Sequence, residues 1–374
     1  MNGKSRYDGN KVDRGEPFGM VDADSPLALA CAYTEDDSGG IISYRWNQSD
    51  GTLHEVARMP APATTYGAAH PAGTHVYTTN RVDGGVVTAY RLDNETGALT
   101  TVNRQSSEGV GPCFVSVDAT GRYAFVANYT AGTVAMLPIE ADGRLGEATD
   151  DVEHDGSSVD PDRQEGPHPH AIVPGPENRF VYVPDLGTDR IAIYRIDFEN
   201  GTLRPADPPY TPVHEGAGPR HLDFHPTERY AYVIHELDSA ITAFEYDPET
   251  GALDEIGTVE TLPHDAEGEN FCADVHVHPS GAWVYGSNRG HDSIAIFEVN
   301  PESGRLRAVG HESTCGHWPR DFALDPSGRF LYAENRRSDS LVSFAVDAAT
   351  GELRATGQRL SLPEPLCLQF VPSQ

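Results

Sequence analysis

Short runs of β-branched and aromatic residues, bounded by Gly, Asp and Asn, recur along this chain and predict strands joined by tight turns. Residues 111–145 show the unit: Gly-Pro-Cys-Phe-Val-Ser-Val-Asp, a turn, Arg-Tyr-Ala-Phe-Val-Ala-Asn, then Thr-Val-Ala-Met-Leu-Pro-Ile. These are strands A, B and C; a weaker strand D follows a polar turn of the form Gly-x-Leu. In strand A the apolar residues stand two apart, as in Val115 and Val117, Leu222 and Phe224, Val275 and Val277, Phe322 and Leu324. A period of two puts them on one face of a sheet, where they would pack between neighbouring sheets.

The Gly-x-Leu turn occurs seven times, at Gly51, Gly97, Gly143, Gly201, Gly251, Gly304 and Gly351, at intervals of 46, 46, 58, 50, 53 and 47 residues. A repeat of about fifty residues with four strands belongs to β-propeller blades. The predicted fold is therefore all-β, a seven-bladed β-propeller over residues 26–374, preceded by a polar tail, residues 1–25, expected to be flexible. The phase of the repeat predicts how the ring closes. The chain enters at a strand B, Leu27–Tyr33, and ends on a lone strand A, Leu366–Pro372, which should complete the first blade and leave no exposed edge.

Composition adds an electrostatic constraint. There are 57 acidic and 27 basic residues, a net charge of −30, and the lysines are Lys4 and Lys11 in the tail. The folded body thus relies on Arg, which pairs bidentately and is more weakly hydrated than Lys. Such a charge repels itself in dilute buffer, whereas in molar salt the screening length falls to about 3 Å. The composition suits a salt-rich cytosol and argues against nucleic acid or an anionic membrane as partner. No segment reaches the roughly 20 apolar residues of a membrane helix, and no apolar signal core opens the chain. Five cysteines without a C-x-x-C pair predict neither disulfides nor structural zinc, which suits a reducing cytoplasm; a monomer is expected.

The repeat also serves as an internal alignment, in which exceptional positions stand out. Six residues before the end of strand A stand Thr65, Cys113, His170, Arg220, Ala273, Arg320 and Leu366. Four residues after the shared aromatic of strand B stand Asp37, Arg81, Tyr129, Leu186, Glu236, Arg289 and Arg336. Strands A and B are antiparallel, so the entrance of A and the exit of B share one end of a blade. His170, Arg220, Glu236, Arg289, Arg320 and Arg336, from four consecutive blades, should converge on one mouth of the central channel. Arginines gathered there in so acidic a protein point to an anionic ligand. Arg320 and Arg336, beside Asp321 and Asp339, fit blade-to-blade ion pairs as well as substrate anchors. Arg81, in a distant blade, is expected to lie apart from the site. His276 and His278 have the spacing of a metal pair, but His278 precedes a Pro, as His70 and His225 do, and so reads as a turn residue; no metal site is expected. No phosphate loop, dinucleotide fingerprint or nucleophile elbow is present, and no cofactor is implied.

Gly218-Pro-Arg-His-Leu-Asp-Phe-His-Pro226, Tyr232-Val-Ile-His-Glu-Leu237, Gly286-Ser-Asn-Arg-Gly-His-Asp-Ser293, and Pro167-His-Pro-His170 followed by Asp185-Leu-Gly-Thr-Asp189 resemble the seven-bladed propeller lactonases. That family includes bacterial 6-phosphogluconolactonases of carbohydrate metabolism and the fungal carboxymuconate cyclase. The resemblance spans about residues 26–372 and implies that His170, Arg220, Glu236 and Arg289 are catalytic; Arg320, Arg336, His168 and His235, at or beside the same mouth positions, are expected to bind substrate. His168 competes with His170 for the His role. The chain departs from the family at His235, where Asn is usual, and at Asp274, where Glu is usual.

The implied reaction is hydrolysis of a small anionic sugar lactone, 6-phosphogluconolactone to 6-phosphogluconate. Either Glu236 or His170 would take the proton of water, and Arg220 and Arg289 would hold the anion and the developing oxyanion. A carboxymuconate-type cycloisomerase and a non-catalytic binding propeller are the alternatives. The charge carries its own test: the unfolding midpoint should rise steeply between dilute buffer and molar KCl. A midpoint indifferent to salt would refute adaptation to a salty cytosol.

Overall fold

The computed structural model describes residues 25–35, 38–82 and 84–372. The predicted tail, save Ser25, and Asp37 lie outside the described residues. Seven four-stranded antiparallel sheets are arranged as blades. Blade five is representative, with strand A at Pro219–Phe224, B at Tyr230–His235, C at Ala240–Tyr246 and D at Leu253–Glu260. Strand B is buried along its length, whereas D alternates with solvent, as a strand on the outer rim should. Apolar clusters fill the seams between blades; Tyr285, Phe322, Leu331 and Phe344, for example, join blades six and seven.

The ring closes as the phase predicts. Pro365–Phe370 is strand A of blade one and pairs antiparallel with Leu27–Ala32, in the register Ala28↔Phe370 and Leu29↔Gln369. Two details depart from the sequence reading. Strand B of blade one ends at Ala32, with Leu29 in the place of the shared aromatic. Counting from Tyr33 therefore overshot by four residues, and the blade-one occupant of the mouth position is Tyr33, not Asp37. In blade four, strand A shrinks to Val173–Pro174 plus an isolated bridge, Pro169↔Asp185. Pro167, Pro169 and Pro174 carry no N–H for a ladder, so this segment runs irregularly along the channel.

The reason for the repeated Gly lies in the seams. The strand-B tyrosine of one blade donates its hydroxyl to the carbonyl of the Gly in the next blade's Gly-x-Leu turn. The pairs are Tyr77 to Gly143 (3.1 Å), Tyr182 to Gly251 (2.8 Å), Tyr232 to Gly304 (3.1 Å), Tyr285 to Gly351 (2.9 Å) and Tyr332 to Gly51 (2.7 Å). The residue two before each tyrosine lies flat against the same Gly. At Gly51, with φ +75°, an added Cβ would stand 2.3 Å from the Phe330 ring. A second clamp uses the His-Pro turns: the rings of His70, His225 and His278 bond the carbonyls of Gly121, Gly281 and Gly328 in the following blade. His278 is thus a turn residue, and its spacing from His276 carries no metal pair.

Tyr332→Phe removes one buried hydroxyl at the closing seam and should cost about 0.5–1.5 kcal/mol. Gly51→Ala should cost more, because backbone strain and the clash with Phe330 add. Deleting residues 365–374 should abolish cooperative unfolding, whereas deleting residues 1–20 should leave the midpoint unchanged. Denaturation with circular dichroism detection checks all of these, and equal tolerance of the two deletions would contradict the closure.

Candidate active site

The register puts the mouth residues together. Pro219 pairs with His235 and Pro319 with Asn335, so each strand A starts beside the end of its strand B. A cavity of about 300 Å³ opens there, lined by Arg81, Arg163, Arg289, Arg320 and Arg336, by His170, and by Glu236 as its carboxylate. Arg81 lines it too, despite its distant blade, because inner strands from around the ring meet at one opening. The expectation that it lies apart from the site is thereby corrected.

Glu236 leaves strand B of blade five with its N–H bonded to the Gly218 carbonyl at 2.7 Å. Its carboxylate meets three guanidiniums: Arg163 at 2.5 Å, Arg289 at 2.7 Å and Arg220 at 3.0 Å. Burial alone would raise its pKa, but Arg289, Arg220 and Arg163 together hold it far below the usual carboxylate range. A carboxylate so stabilised is a poor proton acceptor. Arg220 is 1% exposed, donates to the Ala273 carbonyl and does not line the cavity. It lies beneath the floor and braces Glu236, so the structure does not place it as a direct anchor of substrate.

Arg163 escaped the sequence reading. It lies in the insertion that stretches one interval of the repeat to 58 residues, so no position in other blades aligns with it. That long interval was the available signal. The insertion is tied down through Asp189, which accepts bonds from Gln164 Nε2 (2.8 Å), Ser158 Oγ (2.5 Å) and the N–H groups of Gly216 and Gly218 (2.7 Å each). One buried carboxylate therefore sets both the Arg163 loop and the turn that leads into Arg220.

His170 is 5% exposed and lines the cavity. Asp185 fixes the irregular strand that carries it, by accepting from His168 N (2.8 Å), Gly187 N (3.0 Å) and His154 Nδ1 (2.7 Å). The His170 N–H bonds the Pro184 carbonyl at 3.0 Å, and its ring stands edge-on to Tyr129 and His221. Its Nδ1 has no hydrogen-bond partner among the described residues. Burial first, then Arg220, His221, Arg320 and Arg289, push its pKa well below the ordinary 6.5, so the imidazole is neutral at pH 7.

The remaining candidates divide. Arg336 pairs with Glu364 at 2.7 Å, not with Asp339. Among the described residues Arg320 has no acidic partner within 4.0 Å, since the Asp321 carboxyl lies one tier deeper. Burial and the surrounding guanidiniums of Arg220, Arg289, Arg81 and Arg336 lower its pKa. It still stays charged, because guanidinium holds its proton too firmly to lose it. His168 does not reach the cavity; its ring stacks on Tyr129 (4.5 Å, 12°), with Nδ1 on the Tyr129 carbonyl at 2.9 Å and Nε2 on Glu165 at 3.2 Å. His235 is fully buried beside Asp238 and His214, away from the cavity lining. Strand pleat explains His235, one residue from the lining Glu236, whereas His168 lies in the irregular segment of blade four, where Tyr129 and Glu165 hold its ring.

Residues 28–370 match the family described as Lactonase, 7-bladed beta-propeller. A 6-phosphogluconolactonase of Bacillus subtilis (strain 168) is 39% identical over 282 residues, covering 74% of this chain and 78% of its own. A 6-phosphogluconolactonase of Klebsiella pneumoniae (strain 342) is 33% identical over 263 residues, covering 70% and 75%. Among solved structures, a periplasmic gluconolactonase of Pseudomonas aeruginosa superposes with a TM-score of 0.87 at 32% identity, over 92% of this chain and 99% of that one.

Proposed function

The chain belongs to the seven-bladed β-propeller lactonase family, and from that premise we propose that it hydrolyses an anionic sugar lactone, 6-phosphogluconolactone to 6-phosphogluconate, at the arginine-lined mouth. The observation that carries the anionic part is Arg320, a cation without an acidic partner among the described residues, facing the same cavity as Arg81. An incoming phosphate relieves the repulsion among these guanidiniums and accepts charge-assisted bonds from them.

Neutral His170 takes a proton from water as the oxygen attacks the lactone carbonyl. Arg289 faces the developing oxyanion. Its Nε and Nη2 are held by the Phe271 and Cys272 carbonyls and by Glu236, which leaves it pre-oriented at no cost during reaction. The proton on His170 then goes to the departing ring oxygen, which becomes a hydroxyl, and the new carboxylic acid releases its proton to solvent as the carboxylate. Glu236 acts as a positioning residue that keeps three guanidiniums in place. A phosphorylated sugar does not cross a bilayer unaided, so we assign this activity to the cytosol, unlike the periplasmic relative from P. aeruginosa.

Purified protein in molar KCl should open 6-phosphogluconolactone above background. Turnover of a carboxylated muconate instead would move the site to ring-forming chemistry, and turnover of neither would leave a binding propeller. His170→Asn should lower kcat by about 10²–10⁴. Because the His170 pKa is lowered, its base form persists below pH 6.5, so the acid limb of kcat/KM should lie below that value. Glu236→Gln should lower kcat without moving that limb; a limb that vanished with Glu236 would make the carboxylate the base. Arg320→Ala should raise KM for the phosphorylated lactone and spare unphosphorylated gluconolactone.

A further inference from the structure

One residue beyond each mouth position, the inner strands place a second tier across the channel. In blades five, six and seven it holds His221, Asp274 and Asp321. On the other side Tyr66 and Phe114 stack at 4.3 Å, and both rings meet His221 edge-on. The polar three are 5%, 2% and 3% exposed, and one ligating atom from each lies within 4.8 Å of the others. His221 Nδ1 already stands 2.7 Å from Asp274 Oδ1.

The carboxyl groups here outnumber their partners. Asp274 is satisfied by His221, by His276 Nε2 at 2.9 Å, and by the N–H groups of Val275 and Phe322. Asp321 Oδ1 has no hydrogen-bond partner among the described residues. Glu334, the register partner of Asp321 across the strand pair, is 0% exposed, and neither of its carboxyl oxygens has a partner among the described residues. No Arg or Lys among the described residues forms an ion pair with Asp274, Asp321 or Glu334. Burying carboxyl groups without donors or a counter-charge is costly, and a cation supplies what is missing.

We propose that His221, Asp274 and Asp321, backed by Glu334, form a divalent-cation site in the channel one tier below the mouth. Donors sharing an ion at about 2.1 Å each stand no more than about 4.2 Å apart, which rotation of these side chains reaches from the present spacing. One imidazole with carboxylate oxygens suits Mn²⁺ or Zn²⁺. A second cavity of about 360 Å³, lined by His221, Asp274 and His276 and by the far ends of the inner strands, offers the way in. The ion would join three blades at the ring's axis. His170 and His221, with ring centroids 5.3 Å apart, stand between it and the mouth, so its role is structural and does not depend on the proposed reaction.

The full chain, stripped with a chelator and dialysed into molar KCl to screen surface acids, is titrated with Mn²⁺ by electron paramagnetic resonance and with Zn²⁺ by calorimetry. One equivalent should bind, and the melting temperature should rise with metal concentration. Asp321→Asn, which keeps the shape but loses the charge, should weaken binding at least about tenfold, whereas Glu249→Gln on the exposed rim should not. Zero equivalents, unsaturable binding, or equal affinity in Asp321→Asn overturns the proposal. If Asp321→Asn fails to fold, the wild-type stoichiometry and Glu334→Gln decide by the same criteria.

Discussion

The structure hangs on a hydroxyl donated from one blade to the next at five of the seven seams; blades one and three carry Leu29 and Phe125 in that place. Strand B of one blade meets the Gly-x-Leu turn of its neighbour, where a tyrosine bonds the Gly carbonyl and the residue two before it covers the Gly face. Tyr332 makes this bond to Gly51 across the closing seam, 281 residues apart in sequence. Because the contact lies between blades, each blade is positioned by its neighbours, and the ring holds its inner strands at fixed radius. That rigidity lets side chains from all seven blades face one cavity of about 300 Å³.

At the mouth the dominant problem is like charge. Five arginines and one histidine surround a single lining carboxylate. Glu236 draws in Arg163, Arg220 and Arg289, turning three mobile cations into a fixed array with its own charge spent. Arg320, outside that array, keeps its charge for a ligand, and His170 is kept neutral by its burial and by the same positive field. One electrostatic arrangement thus yields an anion anchor and an available base. In the tier below, the guanidiniums give way to the carboxyl groups of Asp274 and Asp321 and the imidazole of His221.

The sequence was informative wherever chemistry repeats. Seven Gly-x-Leu turns mark seven blades, and the phase of the repeat predicts that the last strand completes the first blade. The internal alignment singled out His170, Glu236, Arg289 and Arg320, all of which line the cavity. It failed where the repeat is interrupted. Arg163 sits in an insertion without an aligned counterpart. Tyr33 was displaced because Leu29 replaces the aromatic that anchors the count. The proline-broken strand of blade four could be counted but not traced.

The order of turns and apolar runs by itself determined blade number, closure and the band of positions that form the mouth, because each depends on local periodicity. Which side chains within that band face the cavity was decided only by tertiary structure. His168 and His235 stand one or two residues from lining positions yet turn into seams, while Arg220 sinks beneath the floor to brace Glu236. Such choices follow from which partners a charged or aromatic group meets across blades, and those partners are brought together only when the ring closes.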